Sequence, residues 1–321
     1  MKVADADTFP RLNAAYDAVF RVGKLSLGLV VPLEAYPSSD VPTMTDQLAR
    51  IRLAEELGFA AVWLRDVPFR VPSFGDAGQV FDPFVYLGVL AASTERIALG
   101  VASLILPLRH PAHVAKAAAS VDVLSGGRML LGVASGDRPN EYPALGAEHA
   151  LRGARFRESY DYIRRIGASF PTVDSPLGNV GGDIDLLPKP YGERLPLLIT
   201  GASQQSDDWL ARHGDGWMVY PRGAAAAART LEGWRERRRD LGTGDRPAMQ
   251  PLYVDLVDDD TAPPEPIHLG LRLGPGQLVA HLLELEAAGV NHVALNLRFN
   301  RTDIESTLHR LASEVLPALN A

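Results

Sequence analysis

The chain has 321 residues, 46% hydrophobic and 22% charged, enough to bury a large core and too mixed for a disordered or fibrous protein. Its 39 acidic against 32 basic residues, a formal charge of -7, argue against a nucleic-acid-binding surface, and the absence of cysteine excludes disulfides, thiolate catalysis and Cys-based metal sites. No apolar run reaches the ~18 residues of a membrane helix and the N-terminus Met-Lys-Val-Ala-Asp is not a secretory signal, so a soluble, cytoplasmic single domain over 1–321 with no membrane or nucleic-acid partner is expected.

Residues 7–23 read as an extra helix on Leu12, Ala15, Tyr16, Val19 and Phe20, placed to close a barrel bottom. From there β-rich segments alternate with amphipathic ones, the pattern of βα units around a parallel sheet. The strands fall at Leu25–Val31, Ala60–Arg65, Ile97–Ile105, Met129–Ser135, Leu197–Thr200, Gly216–Tyr220, Pro251–Val257 and His292–Leu297. Helices centre on Gln47–Leu57, Pro83–Ser93, Ala112–Leu124, Arg155–Ala168, Ser206–His213, Ala224–Leu241, Gly276–Ala288 and Ile304–Leu316. Eight such units fit an α/β (β/α)8 TIM barrel with insertions better than an open doubly wound sheet. Two connections are overlong. Asp258–Gly276 follows strand seven and is expected on the catalytic face, whereas Phe170–Leu195 follows a helix and is expected at the opposite face.

In such a barrel the residues just after each strand carry the chemistry. Strands three, four and five end in small residues, which leaves room for something flat and large. The turn after strand five puts Ser203 and Ser206 at a helix start, where they could cradle an anion or merely cap the helix. Gly136 allows close backbone approach, and Arg138 either binds a phosphate or pairs with Asp137 or Glu141. Arg109 and His110 face the mouth, and His110, like Asp66 after strand two, is a weak candidate for catalysis. There is no His-x-His or His-Glu-x-x-His and no Gly-x-Gly-x-x-Gly after strand one, so no metal and no resident dinucleotide are expected.

Four pieces together resemble the bacterial luciferase-like flavin-dependent oxidoreductases: residues 54–64, 96–111 (Arg-Ile-Ala-Leu-Gly-Val-Ala-Ser-Leu-Ile-Leu-Pro-Leu-Arg-His-Pro), 122–136 (ending Gly-Val-Ala-Ser-Gly) and 201–216. The resemblance implies a monooxygenase that uses reduced FMN and O2 on a small organic substrate, with a separate flavin reductase as a candidate partner. The alternatives are hydride transfer with the deazaflavin F420, or flavin binding without turnover. It puts the phosphate near Ser203 and Ser206 and the turn Ser135, Gly136 and Arg138, an apolar wall at Val30, Ala102 and Ala134, and further cofactor contacts at Ser103, Gly201 and Ala202. It also implies a cis peptide at Ala102–Ser103 and a homodimer through the apolar helices 83–93 and 112–124. One departure stands out: luciferase has a functional histidine after strand two, where this chain has Asp66, so that general base has no counterpart.

Overall fold

A computed structural model describes residues 8–320; the first residue of the expected N-terminal helix lies outside them. Eight strands form the barrel: β1 (Ser26–Val30), β2 (Ala61–Leu64), β3 (Ala98–Ile105), β4 (Met129–Ala134), β5 (Leu197–Thr200), β6 (Gly216–Met218), β7 (Ala248–Leu256) and β8 (His292–Asn296). Each runs parallel to the next, and β8 returns to β1 with Ser26 opposite His292 and Leu29 opposite Leu295, so the sheet closes. All eight fall where the hydrophobic runs predict, because a parallel sheet is covered on both faces and its strands are almost continuously apolar.

Strand alternation then divides the core. Val62 and Leu64 pack outward against the helices, while Ala61 and Trp63 point into the barrel with Ala98, Leu130, Leu198, Met218 and Met249. Trp63 is fully buried, and the space for it comes from Gly100, where a Cβ would run into the indole. A helix at Ala14–Val19, capped by the Asn13 side chain that accepts from the Tyr16 amide, plugs the N-terminal end of the barrel, with the Tyr16 hydroxyl donating to the Asp215 carbonyl at 2.6 Å.

The two long connections behave differently. Residues after β7 form a hairpin, Glu265–Ile267 with Gly270–Leu273, whose second arm extends β7 in parallel and brings His268 and Leu269 to the mouth, as expected for the catalytic face. The other, 170–195, is not confined to the opposite face. Its Thr172–Val173 and Val180–Gly181 pair, and the Leu177 carbonyl reaches His110 Nε2 (2.9 Å) at the N-terminus of the Pro111–Leu124 helix before Tyr191 returns to Asp122. Leu177 and Leu186 pack onto the core along this path, which is why the segment climbs the helix.

Candidate active site

A cleft of about 780 Å3 opens at the C-terminal ends of the strands, within the range of small-molecule sites. Its floor has little bulk. Ala102 and Ser103 from β3, Ala134, Ser135 and Gly136 from β4, and Gly201 and Ala202 after β5 all line it. The Ala102–Ser103 peptide is cis, as the resemblance implies, and the Ser103 and Thr200 hydroxyls hydrogen-bond to each other. Gly136 has φ of 76°, and a Cβ there would meet Ile105 Cγ2 at 2.6 Å and the Tyr142 hydroxyl at 2.8 Å, so neither handedness nor space admits another residue.

The two serines separate. Ser203 lines the cleft, but its hydroxyl donates to the Thr200 carbonyl at 2.8 Å. Ser206 is exposed, lies outside the cleft and accepts from the Trp209 amide as the N-cap of the Asp207–His213 helix. For Ser206 the capping alternative is therefore the observed one. Two further expected residues lie elsewhere. Val30 packs in the interior layer with Trp63 rather than on the cleft, and His110 caps the Pro111–Leu124 helix and binds Leu177.

The opposite wall is charged. Asp66 pairs with Arg109 (2.8 Å) and accepts from the Ile105 amide, not with Arg65, which instead binds Asp76 at 2.5 Å. Asp76 gathers Arg298 (3.3 Å), the Tyr36 hydroxyl (3.0 Å) and the Gly78 amide, so one carboxylate of the 66–81 loop ties together residues following β1, β2 and β8. Burial alone would raise its pKa, but Arg65, the Gly78 amide and Arg298 hold it below the usual carboxylate range. Arg138 donates to the Asp76 carbonyl (3.0 Å) and lies 5.3 Å from the Phe74 ring centroid; among the described residues no carboxylate is within ion-pair distance of it. Neither Asp137 nor Glu141 pairs with it directly, contrary to the salt-bridge alternative. Glu141 is buried, its Oε1 has no partner, and burial raises its pKa against the pull of Arg138.

Asp76 and Arg152 were not among the residues the sequence singles out. Arg152 donates to the His149 carbonyl, its Nε is buried without a partner, and it too lines the cleft. The adjoining Gly153 accepts from Gln205 and lies against Gln204, which fixes Arg152 beside the β5 turn. Asp76 lies in the long loop after β2 and Arg152 opens the Arg152–Ile166 helix, so neither stands at a strand end where the sequence pattern points. Among the described residues no three His, Asp or Glu side chains gather as a metal site.

A closed (β/α)8 barrel with an open cleft at its strand C-termini is the architecture of a barrel enzyme. Residues 26–262 match the family model of luciferase-like monooxygenases, and the chain belongs to that family of oxidoreductases. Over 179 residues, 54% of this chain and 52% of the relative, it is 34% identical to an F420-dependent glucose-6-phosphate dehydrogenase of Beutenbergia cavernae. It is 38% identical over 132 residues, 39% of this chain and 34% of the relative, to the 4-hydroxyprotoasukamycin monooxygenase of Streptomyces nodosus. The matches thus span about half or less of these relatives' lengths. The crystal structure of a monooxygenase from Streptomyces bottropensis has the same fold, with a TM-score of 0.76 at 19% identity, covering 91% of this chain and 99% of the other.

Proposed function

We propose that the protein is a flavin-dependent monooxygenase that takes reduced FMN and O2 and oxidises a small organic substrate. The observation that carries this reading is the floor of Ala102, Ser103, Ala134, Ser135, Gly136, Gly201 and Ala202, which leaves a flat space across the ends of three neighbouring strands. The donor set suits the cofactor. Arg152, whose guanidinium lines the cleft, the Ser135 hydroxyl, which makes no hydrogen bond among the described residues, and the backbone of the β5 turn would hold the phosphate. When bound, reduced flavin supplies two electrons for O2 or for a substrate. The chain's own part is to hold the phosphate and to cover the cleft with the 66–81 loop and the 265–273 hairpin. Lacking a nucleotide fingerprint, it draws reduced flavin from a separate reductase.

The second reading, hydride transfer with F420, is favoured by the relative from Beutenbergia cavernae. Parallel titration of the purified protein with reduced FMN and with F420, read by absorbance and fluorescence, decides. Micromolar binding of reduced FMN with substrate-dependent O2 uptake is expected; tight F420 binding with none of FMN overturns the first reading. We also propose a homodimer through the 83–93 and 111–124 helices, where Val85 and Leu124 are 70% and 71% exposed, and a cytoplasmic location.

A further inference from the structure

Two guanidiniums that line the cleft, Arg138 and Arg152, lack a carboxylate partner among the described residues, and they stand on different sides of it. Arg152 belongs to the side of the β5 turn, through Gly153 and its contacts with Gln204 and Gln205. Arg138 belongs to the other side. It is 8% exposed, sits by Phe74 and is fixed by one hydrogen bond to the backbone of Asp76, in the loop opposite the small-residue floor.

We infer that Arg138 is the docking point for a carboxylate on the organic substrate, distinct from the phosphate position at Arg152; this rests on the proposed flavin site. The geometry supports it in three ways. First, a guanidinium has five N–H donors and Arg138 uses one on the protein. None of its nitrogens is buried without a partner, so the remaining donors open onto the cleft that it lines.

Second, the charges around it are already committed. Arg65 and Arg298 both bind Asp76, so two guanidiniums share one carboxylate and Arg138 adds a third positive charge next to them. Asp137 and Glu141 lie within electrostatic reach but make no ion pair with Arg138, and Glu141 is the one whose burial favours its neutral form. An entering carboxylate gives Arg138 the direct partner that neither Asp137 nor Glu141 supplies, and the fork of Arg138 presents two parallel N–H groups to it. Third, the position is right for selection. Arg138 stands where the 66–81 loop meets the turn after β4, and Phe74 provides an apolar face beside it for the body of the substrate.

The test is a double dissociation on flavin-saturated protein, so that the phosphate position is already filled. Benzoate, benzamide and inorganic phosphate are titrated against the FMN-loaded chain and followed by the flavin difference spectrum. Benzoate is expected to bind with a millimolar or lower Kd, at least tenfold tighter than benzamide, and inorganic phosphate more weakly than benzoate. Arg138→Gln should weaken benzoate at least tenfold with FMN affinity changed less than twofold, while Arg152→Gln should do the reverse. Arg138→Lys, which keeps the charge but not the fork and guards against misfolding, should recover only part of the loss, with benzoate affinity between that of the parent and that of Arg138→Gln. If Arg138→Gln loses FMN instead, or if benzoate and benzamide bind alike, the assignment is overturned. If no variant or parent binds FMN at all, the flavin reading itself falls, and the two failures are distinguishable.

Discussion

Two sets of buried polar groups, one at each end of the barrel, are treated in opposite ways. At the N-terminal end the fold supplies the partners: Asp215 receives Arg164, Arg194 (2.7 Å) and the Leu197 amide (3.0 Å), and Arg128 donates to the carbonyls of Ala91, Thr94, Ile97 and Ser125 and to the Thr94 hydroxyl. At the mouth, beside the fully partnered Asp66 and Asp76, three groups are left short: Arg138 makes one bond, and Glu141 Oε1 and Arg152 Nε make none. A buried group whose partners are all internal holds the structure, whereas one left short is available to a ligand. The comparison breaks if substitutions at the two ends have the same consequences.

The largest expected effect is at the sealed end. Asp215→Ala removes a 4% exposed carboxylate and leaves Arg164 and Arg194 without their ion-pair partner, which costs ~3 kcal/mol, towards the lower bound because their side chains are 22% and 39% exposed. Urea denaturation at pH 7 measures it, and the folded variant should still bind flavin like the parent. Loss of flavin binding at unchanged stability would erase the distinction between the two ends.

The next effect is one of pH. Trp63 Nε1–H donates to His292 Nε2 (2.9 Å), so His292 carries its proton on Nδ1 and donates to Ser26 Oγ (2.7 Å), which in turn donates to the Val19 carbonyl. Burial holds the imidazole neutral and lowers its pKa to about 3. The unfolded chain takes up that proton below its ordinary 6.5 while the folded chain does not, so this contribution is complete above pH 6.5 and is lost as pH falls. At ~1.4 kcal/mol per pH unit, stability should fall by roughly 2 kcal/mol between pH 6.5 and 5. Buried acids with raised pKa, Asp122 and Glu141, act with the opposite sign and are common to parent and variant. The difference in pH slope between the parent and His292→Gln therefore isolates His292; coincident slopes would refute its role.

Much of this contrast was legible in the sequence, but only up to the backbone. Eight apolar runs at regular spacing predict the barrel, and Gly136, Ala102 and Ser103 mark the floor because small residues at strand ends are a local signal. What sequence could not supply were convergences over long separations: Tyr36, Arg65 and Arg298 meet at Asp76, from positions spread over most of the chain. For the same reason the partner of Asp66 is Arg109 and not its neighbour Arg65. Ser206 and His110 looked chemical because they sit at helix starts, where capping asks for the same polar atoms that a ligand does. The hairpin at 265–273 has strands of only three and four residues, too short for a period to stand out in the sequence, and pairing with β7 holds the second of them in place.

The last effects sharpen the comparison at three serines, Ser135 and Ser203 in the cleft and Ser206 just outside it. A hydroxyl has one proton, and that of Ser203 is given to the Thr200 carbonyl, so it has none for a phosphate; the turn can contribute only its backbone N–H groups. The Ser135 hydroxyl makes no hydrogen bond among the described residues and lines the cleft. A bond from a neutral donor to a charged phosphate contributes about 1.5–3 kcal/mol, so Ser135→Ala should weaken reduced FMN by roughly tenfold or more. Ser203→Gly, chosen because φ there is 45° and glycine accepts it without strain, should change affinity less than about twofold. Ser206→Ala should leave flavin binding alone and lower stability by ~1 kcal/mol or less, the loss of an exposed cap. Isothermal titration of the three variants with reduced FMN, beside their melting curves, gives the ranking; a loss of affinity at Ser203 equal to that at Ser135 would show that the Thr200 bond does not hold that hydroxyl away from the phosphate.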